Sequence, residues 1–191
     1  AERDDMTSTL VRASTRLQRL VEDLLMASRL ESGAVEIRLD EGEIAPIVRS
    51  VVNELAPPSA PVQIDVECEV DVRAMADTVR LQQILNNYVT NALRYGAPPI
   101  TVRVTRRDGT VEIIVEDRGT GVPEGLEDRL FDKFSHGSHD ESTGLGLFIV
   151  RELAVAHEWD CICRRLGPRR LRAETAAIVS VAVVASRLGE L

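Results

Sequence analysis

Apolar residues recur every seven positions along the first part of the chain. The two rows lie three places apart and consist of Leu10, Leu17 and Leu24, and of Ala13, Leu20 and Ala27. This spacing is the a/d pattern of a coiled coil, and charged residues fill most of the remaining positions. We therefore predict one long amphipathic helix that ends at Gly33 and pairs with other helices. The alternative is a lone amphipathic helix that folds back on its own domain.

The rest of the chain combines alternating and helical patterns. Period-two alternation predicts strands at 35–39, 62–68, 70–74, 100–106, 111–117, 161–165 and 176–184. Helical spacing predicts helices at 44–55, at 78–95 with Asp77 or Thr78 as the cap, and at 144–156. The Asp108-Gly109 dipeptide indicates a tight hairpin between antiparallel strands. We expect an α+β chain with a mixed sheet, divided into a helix at 1–33 and a domain at 34–191.

Composition and charge exclude several classes of function. With 23 basic and 31 acidic residues the net charge is −8, which argues against direct binding to nucleic-acid phosphates. The longest uncharged apolar stretch, 176–185, is far shorter than the roughly 18 to 20 residues that cross a bilayer. The three cysteines lack the paired spacing of a zinc site, and Cys161 and Cys163 are expected on one face of a strand. We therefore expect a cytoplasmic location.

The helix predicted to end at Tyr95 carries a polar stripe. At about 100° per residue its polar positions lie away from its apolar face. These positions are Gln83, Asn87, Asn91 and Arg94. Asparagine is a poor helix former, so two asparagines one turn apart indicate a function. Amide oxygens can ligate Mg²⁺, and an arginine can hold a phosphate oxygen. The alternative is a solvated polar face.

Two glycine-containing segments add candidate chemistry. Asp117 ends a predicted strand and is followed by Gly119 and Gly121. A carboxylate there can accept a hydrogen bond from an exocyclic amine such as N6 of adenine, while glycines let the ring approach the backbone. The alternative is a simple turn. After a long polar connection, the Gly-Leu-Gly-Leu sequence at 144–147 opens a helix whose backbone N–H groups suit phosphate.

In their order and spacing, these segments resemble the ATP-binding catalytic domain of sensor histidine kinases, within the wider GHKL ATPase group. Segment 81–95 matches the N box of that family, 117–121 its G1 box, 130–134 its F box and 144–147 its G2 box. Segment 19–33 resembles the second helix of the family's dimerisation and phosphoacceptor hairpin. The resemblance implies a two-layer α/β sandwich of the Bergerat type, with a mixed sheet packed on helices and a coiled-coil helix before it.

The resemblance also implies a role for each matching residue. Asn91 would bind the Mg²⁺ that bridges the triphosphate, and Asp117 would read adenine. Asn87, beside the metal, and Lys133, which would reach the γ-phosphate from the lid, are the implied catalytic residues. The other residues implied to contact the nucleotide are Arg94, Tyr95, Gly119, Gly121, Gly144, Leu145, Gly146 and Leu147. The implied cofactors are ATP and Mg²⁺.

The histidines depart from the family's pattern. A histidine kinase phosphorylates a histidine on the first helix of its hairpin, whereas this chain has histidines only at 136, 139 and 157. His136 and His139 are expected to be solvated or near phosphate. His157 is expected to end a helix as a favourable partner for its dipole. We therefore expect the acceptor histidine to lie outside this sequence, on a missing segment of the same protein or on a separate subunit.

The implied function is that of the catalytic portion of a histidine kinase in two-component signal transduction. Its partners would be a histidine-bearing hairpin and a downstream response regulator, with homo- or hetero-oligomerisation through the N-terminal helix. Two alternatives stand open: an anti-sigma serine kinase of the GHKL type, and a degenerate regulatory module that binds nucleotide without turnover. The heptad pattern counts against the first, and the presence of Asn87, Asn91 and Lys133 counts against the second.

Overall fold

The computed structural model describes residues 2–107, 110–121, 126, 129–135, 143–162 and 181–184. In these ranges the helices are α1 (Glu2–Glu31), α2 (Ile44–Leu55), α3 (Thr78–Tyr95) and α4 (Gly146–Ala156). The strands are β1 (Asp40–Glu43), β2 (Ile64–Cys68), β3 (Arg73–Ala76), β4 (Ile100–Arg107), β5 (Thr110–Glu116), β6 (Asp160–Ile162) and β7 (Val181–Val184). Among the described residues, no helix is both long and apolar enough to cross a membrane.

The larger sheet is mixed. Its five strands lie in the order β2, β4, β5, β7, β6, while β1 pairs with β3 in a separate two-stranded sheet. The β2 and β4 strands run parallel, and the remaining neighbours in the larger sheet are antiparallel. The predicted mixed sheet is therefore confirmed. The Asp108-Gly109 turn, Cys163 and the outer parts of the last two predicted strands lie outside the described residues.

Helices pack against the sheet to form the core. Alternate residues of the two central strands are buried, as strand periodicity requires: Ile100, Val102 and Val104 of β4, and Val111, Ile113 and Val115 of β5. The apolar stripe of α3 joins the same core and contacts both α2 and α4. Helices layered on a mixed sheet confirm the predicted α+β sandwich.

A side-chain cap places the start of α3. Asp77 accepts hydrogen bonds from the backbone N–H groups of Val79 and Arg80 through Oδ1 and from that of Arg38 through Oδ2. These bonds satisfy donors that the first turn of a helix leaves unpaired. The cap therefore anchors the helix that carries the polar stripe, and it ties the connection before β1 to the same point.

The first predicted strand is wrong. Residues 34–39 belong to no strand, and the strand that pairs with β3 is Asp40–Glu43 instead. Val35 and Ile37 are half-buried and their neighbours are exposed, so the alternation correctly reports which side chains face the core. Alternation does not predict which backbone segment forms hydrogen bonds with another strand, because that pairing depends on a strand distant in the sequence.

Two other boundaries differ from the prediction. The third strand begins at Arg73 rather than near Val70, because a turn with Asp71 at φ 56° precedes it. The last helix begins at Gly146 rather than at Gly144, because Gly144 has a φ of 66°, which a right-handed helix cannot contain. Both shifts follow from single residues in the left-handed region.

The two ends of α1 have different surroundings. Ala27 is only 4% exposed, and Met26 and Leu30 pack partly buried against the core, where α1 contacts α4. Leu10 and Leu17, in contrast, are 67% and 62% exposed. The long helix is confirmed, its last turns fold back on α4, and its earlier leucines face outward in the described part of the chain.

Candidate nucleotide site

A buried carboxylate stands at the end of β5. The Asp117 side chain is 1% exposed, and its Oδ1 accepts a hydrogen bond from the Gly119 N–H at 2.6 Å. Its Oδ2 is buried and has no hydrogen-bond partner among the described residues. Burial raises the pKa of Asp117, although the N–H groups of Gly119 and Ala97 act in the opposite direction. Since buried acceptors are normally paired, the free Oδ2 is suited to a donor on a ligand.

Glycines let the backbone close around this carboxylate. A Cβ on Gly119 would lie 2.8 Å from Asp117 Oδ1 and 2.9 Å from the Tyr95 carbonyl oxygen. A Cβ on Gly96 would lie 2.5 Å from both the Ala92 carbonyl oxygen and Asp117 Cγ. The end of α3 therefore contacts the turn after β5 with no room for a side chain.

Gly96 was not among the residues predicted from the sequence. The available signal was a glycine directly after the predicted end of a helix. That position is normally explained by a positive φ, but Gly96 has a φ of −80°. Its requirement for glycine comes from close packing against Asp117, which only the folded chain displays.

The polar stripe of α3 lies against the start of α4. A Cβ on Gly146 would lie 2.9 Å from Asn87 Oδ1, so the amide of Asn87 directly contacts the first residue of α4. Asn91 follows one turn later and is also half-buried. Arg94 and Tyr95 are exposed at the end of α3, with the guanidinium carbon 6.0 Å from the ring centroid. The structure thus brings together the first asparagine and the Gly-Leu-Gly-Leu segment.

The N-terminus of α4 offers backbone donors. No side chain caps this end of the helix at Leu145. The Thr143 hydroxyl accepts a weak hydrogen bond of 3.3 Å from the Leu145 N–H. The Leu145 side chain is fully buried and Leu147 packs against the core. The predicted phosphate contacts of these two leucines are therefore available only through their backbone N–H groups, which suit an anion at a helix N-terminus.

Lys133 lies beside α1. Its ammonium forms an ion pair with Glu31, the last residue of α1, and stands 4.9 Å from the centroid of the Phe148 ring. A second polar contact joins α1 to the same region, because the Thr143 hydroxyl donates to Asp23 Oδ2 at 2.7 Å. Neither acidic residue was predicted to belong to the site, since each of its partners lies more than a hundred residues away along the chain.

His157 ends α4, as predicted, but as a buried ring. The imidazole is 5% exposed, stacks on Trp159 at a centroid distance of 3.9 Å, and donates from Nδ1 to the Leu153 carbonyl oxygen at 2.6 Å. Burial lowers its pKa and outweighs the opposing hydrogen bond. The lowered pKa favours the neutral ring, and its contact with the end of the helix is this hydrogen bond to a carbonyl of the last turn. His136 and His139 lie outside the described residues.

The chain is similar in sequence to known histidine kinases. Residues 76–178, just over half of the chain, match the family described as Histidine kinase-, DNA gyrase B-, and HSP90-like ATPase. Signal transduction histidine-protein kinase AfsQ2 of Streptomyces coelicolor is 35% identical over 152 residues, covering 78% of this chain and 28% of that protein. Sensor histidine kinase GlrK of Escherichia coli K12 is 30% identical over 174 residues, covering 87% of this chain and 35% of that protein. This chain spans about a third of the length of these relatives.

Solved structures share its fold. Full-length ShkA in complex with AMPPNP superposes with a TM-score of 0.76 and 27% identity, over 100% of this chain and 41% of that one. The histidine kinase AdeS of Acinetobacter baumannii gives 0.77 with 22% identity, over 95% and 84%, a likeness of fold. The family match spans α3, Asp117 and α4. The chain therefore belongs to the histidine kinase-, DNA gyrase B- and HSP90-like ATPase family and carries the catalytic ATPase domain of a sensor histidine kinase.

Proposed function

We propose that this domain binds Mg·ATP in the cleft between α3, Asp117 and α4 and transfers its γ-phosphate to a histidine outside this sequence. The observation that carries the proposal is the buried, unpartnered Oδ2 of Asp117 in a wall of glycine backbone. An adenine amine can donate to that oxygen, and the glycines beside it keep side chains away from the carboxylate. The related ShkA, whose structure is a complex with AMPPNP, supports nucleotide binding.

The residues of the cleft fit the parts of the nucleotide. Asp117 would accept from N6 of adenine, and the N–H groups at the start of α4 would bind phosphate oxygens. The amide oxygen of Asn91 would ligate Mg²⁺, whose remaining ligands would be phosphates and water, because the described residues contain no cluster of three His, Cys, Asp or Glu side chains. Bound Mg²⁺ would supply charge neutralisation to the triphosphate.

The transfer step needs positioning more than covalent chemistry from the protein. A neutral imidazole nitrogen of the acceptor attacks the γ-phosphorus, the bond to the β-phosphate oxygen breaks, and ADP leaves. Lys133 and Arg94 would offset the charge on the phosphates, and Asn87 would hold the reacting end beside Gly146. Such preorganised charges and dipoles account for most of the catalysis in phosphoryl transfer.

The partners follow from the same proposal. An acceptor hairpin and a response regulator would complete the reaction, and the need for ATP and a response regulator implies a cytoplasmic site for this part of the protein. The exposed leucines of α1 would pair with the missing hairpin helix or with a second copy of the chain, because an apolar row of this length is costly to leave in water.

Phosphate transfer in trans tests the proposal. The chain is incubated with ATP labelled in the γ-phosphate, with and without the phosphoacceptor hairpin of a related sensor kinase. We expect acid-labile label on the hairpin only, lost in Asn91→Ala and kept in Glu54→Gln, a charge-removing control at an exposed position of α2. Acid-stable label would support the serine-kinase alternative. Nucleotide binding without transfer would support the degenerate module, and acid-labile label on the isolated chain would place the acceptor within it.

A further inference from the structure

Lys133, which is proposed to bind phosphate, already forms an ion pair with a carboxylate. The Lys133 ammonium pairs with Glu31 at the end of α1, and the two side chains are 31% and 55% exposed. The Phe148 ring that the ammonium contacts also contacts the guanidinium of Arg151, whose central carbon lies 5.4 Å from the ring centroid. Lys133 is therefore fixed between an aromatic face and an acidic group, rather than extended into water.

A γ-phosphate would compete directly with Glu31. Both are anions that accept charge-assisted hydrogen bonds from an ammonium, and the phosphate offers more charge and more oxygen atoms. If Lys133 turns to the phosphate, the Glu31 pair must open. ADP lacks this phosphate and leaves the pair intact, so the cost of opening it applies to ATP alone.

A second contact keeps α1 in position for this competition. Asp23, two turns before Glu31, accepts from the Thr143 hydroxyl at 2.7 Å, and the same hydroxyl accepts from the Leu145 N–H at the start of α4. Ala27, between the two acidic residues, is buried against the core. The helix therefore contacts both segments that carry proposed phosphate ligands, and Glu31 is held beside Lys133 by more than its own charge.

We propose that Glu31 is a specificity-determining residue that lowers the affinity of the site for ATP relative to ADP by competing with the γ-phosphate for Lys133. This inference rests on the proposed role of Lys133 at the nucleotide. Coupling between sites is reciprocal, so ATP also weakens the hold of the domain on the end of α1, whereas ADP does not.

Calorimetric titration of the full chain with Mg·ATP and Mg·ADP tests this proposal. Glu31→Gln removes the competing charge at a half-exposed position, where the fold is expected to survive. We expect its affinity for ATP to rise about two- to fivefold, the range that partly exposed ion pairs give, with no change for ADP. Glu54→Gln, exposed on α2, is the matched control and should change neither affinity.

A double-mutant cycle shows whether the effect passes through Lys133. In the Lys133→Ala background, adding Glu31→Gln should no longer change the ratio of ATP to ADP affinity. An equal rise in that background, or a parallel rise for ATP and ADP, would overturn the proposal. An unchanged ratio of ATP to ADP affinity in Glu31→Gln would also overturn it. If the unmodified chain still bound ATP in that case, the proposed function would stand. A chain that bound neither nucleotide would refute both.

Discussion

The Asp117→Asn substitution should weaken ATP binding while leaving the fold intact. Asparagine keeps an oxygen at the Oδ1 position, where Asp117 accepts from the Gly119 N–H at 2.6 Å. It then places an NH₂ group at the position of the unpartnered Oδ2. An adenine amine would meet another donor there. A 180° flip of the asparagine amide would not avoid a contact between two donors, because the NH₂ group would then face the N–H of Gly119.

The magnitude follows from the lost hydrogen bond. Hydrogen bonds to a charged group contribute about 1.5–3 kcal/mol, and an unpaired buried donor adds to the loss. We expect about 2–3 kcal/mol, or a roughly 30- to 150-fold weaker dissociation constant for ATP. Stability should respond in the opposite sense. Burial raises the pKa of Asp117, so its charged form destabilises the folded state above that pKa, and asparagine removes this charge.

Two measurements at pH 7.5 separate these effects. Calorimetry with Mg·ATP should show the loss of affinity, and urea denaturation should show a midpoint equal to or above that of the unmodified chain. ATP affinity within a factor of two of the unmodified chain would refute the adenine contact. A large fall in the urea midpoint would instead show that the carboxylate has a structural role that we have not recognised.

Three further substitutions test other parts of the cleft. Asn91→Ala should lose about 2–4 kcal/mol of ATP affinity in Mg²⁺ and much less in EDTA, as measured by calorimetry, because it deletes the proposed metal ligand; equal losses in both would remove that assignment. Gly96→Ala should lower the free energy of unfolding by about 1–3 kcal/mol in urea, since its Cβ meets the backbone oxygen of Ala92 at 2.5 Å. Gly42→Ala, with no atom within 4 Å of its Cβ, is the matched control, and equal effects would refute the packing argument. Burial lowers the pKa of His157, so below about pH 6.5 this imidazole takes up a proton more readily in the unfolded chain than in the folded chain, and the free energy of unfolding decreases as the pH falls. His157→Phe keeps an aromatic ring on Trp159 and should reduce the change in the urea midpoint between pH 5 and 7.5. An unaltered pH dependence of the midpoint would contradict the assignment.

The sequence predicted the scaffold of the cleft better than its contacts. The helix from Asp77 to Tyr95 could be placed because its cap and apolar stripe are local signals, and both are confirmed. The strand at 35–39 failed because ladder pairing depends on where β3 lies, which no local pattern contains. Burial of His157 was equally inaccessible, since its environment includes Trp159 and the inner face of the core.

Contacts between distant segments account for most of what was missed. Gly96 requires glycine because Asp117 approaches it, and Lys133 meets Glu31 only after α1 folds back on α4. These pairs have no spacing rule in the sequence, because helix and strand periodicities describe which face of an element is buried and not which neighbour covers it. The roles that the family resemblance assigns to individual residues stay predictions until nucleotide binding is measured.

Comparison of ATP with GTP on the unmodified chain tests the central claim most directly. Guanine carries a carbonyl oxygen where adenine carries the amine, so it would place an acceptor against the buried carboxylate of Asp117. Calorimetric titration in Mg²⁺ at pH 7.5 should show that ATP binds and that GTP binds at least tenfold more weakly. Equal affinity for the two nucleotides would contradict the assignment of this cleft as an adenine site.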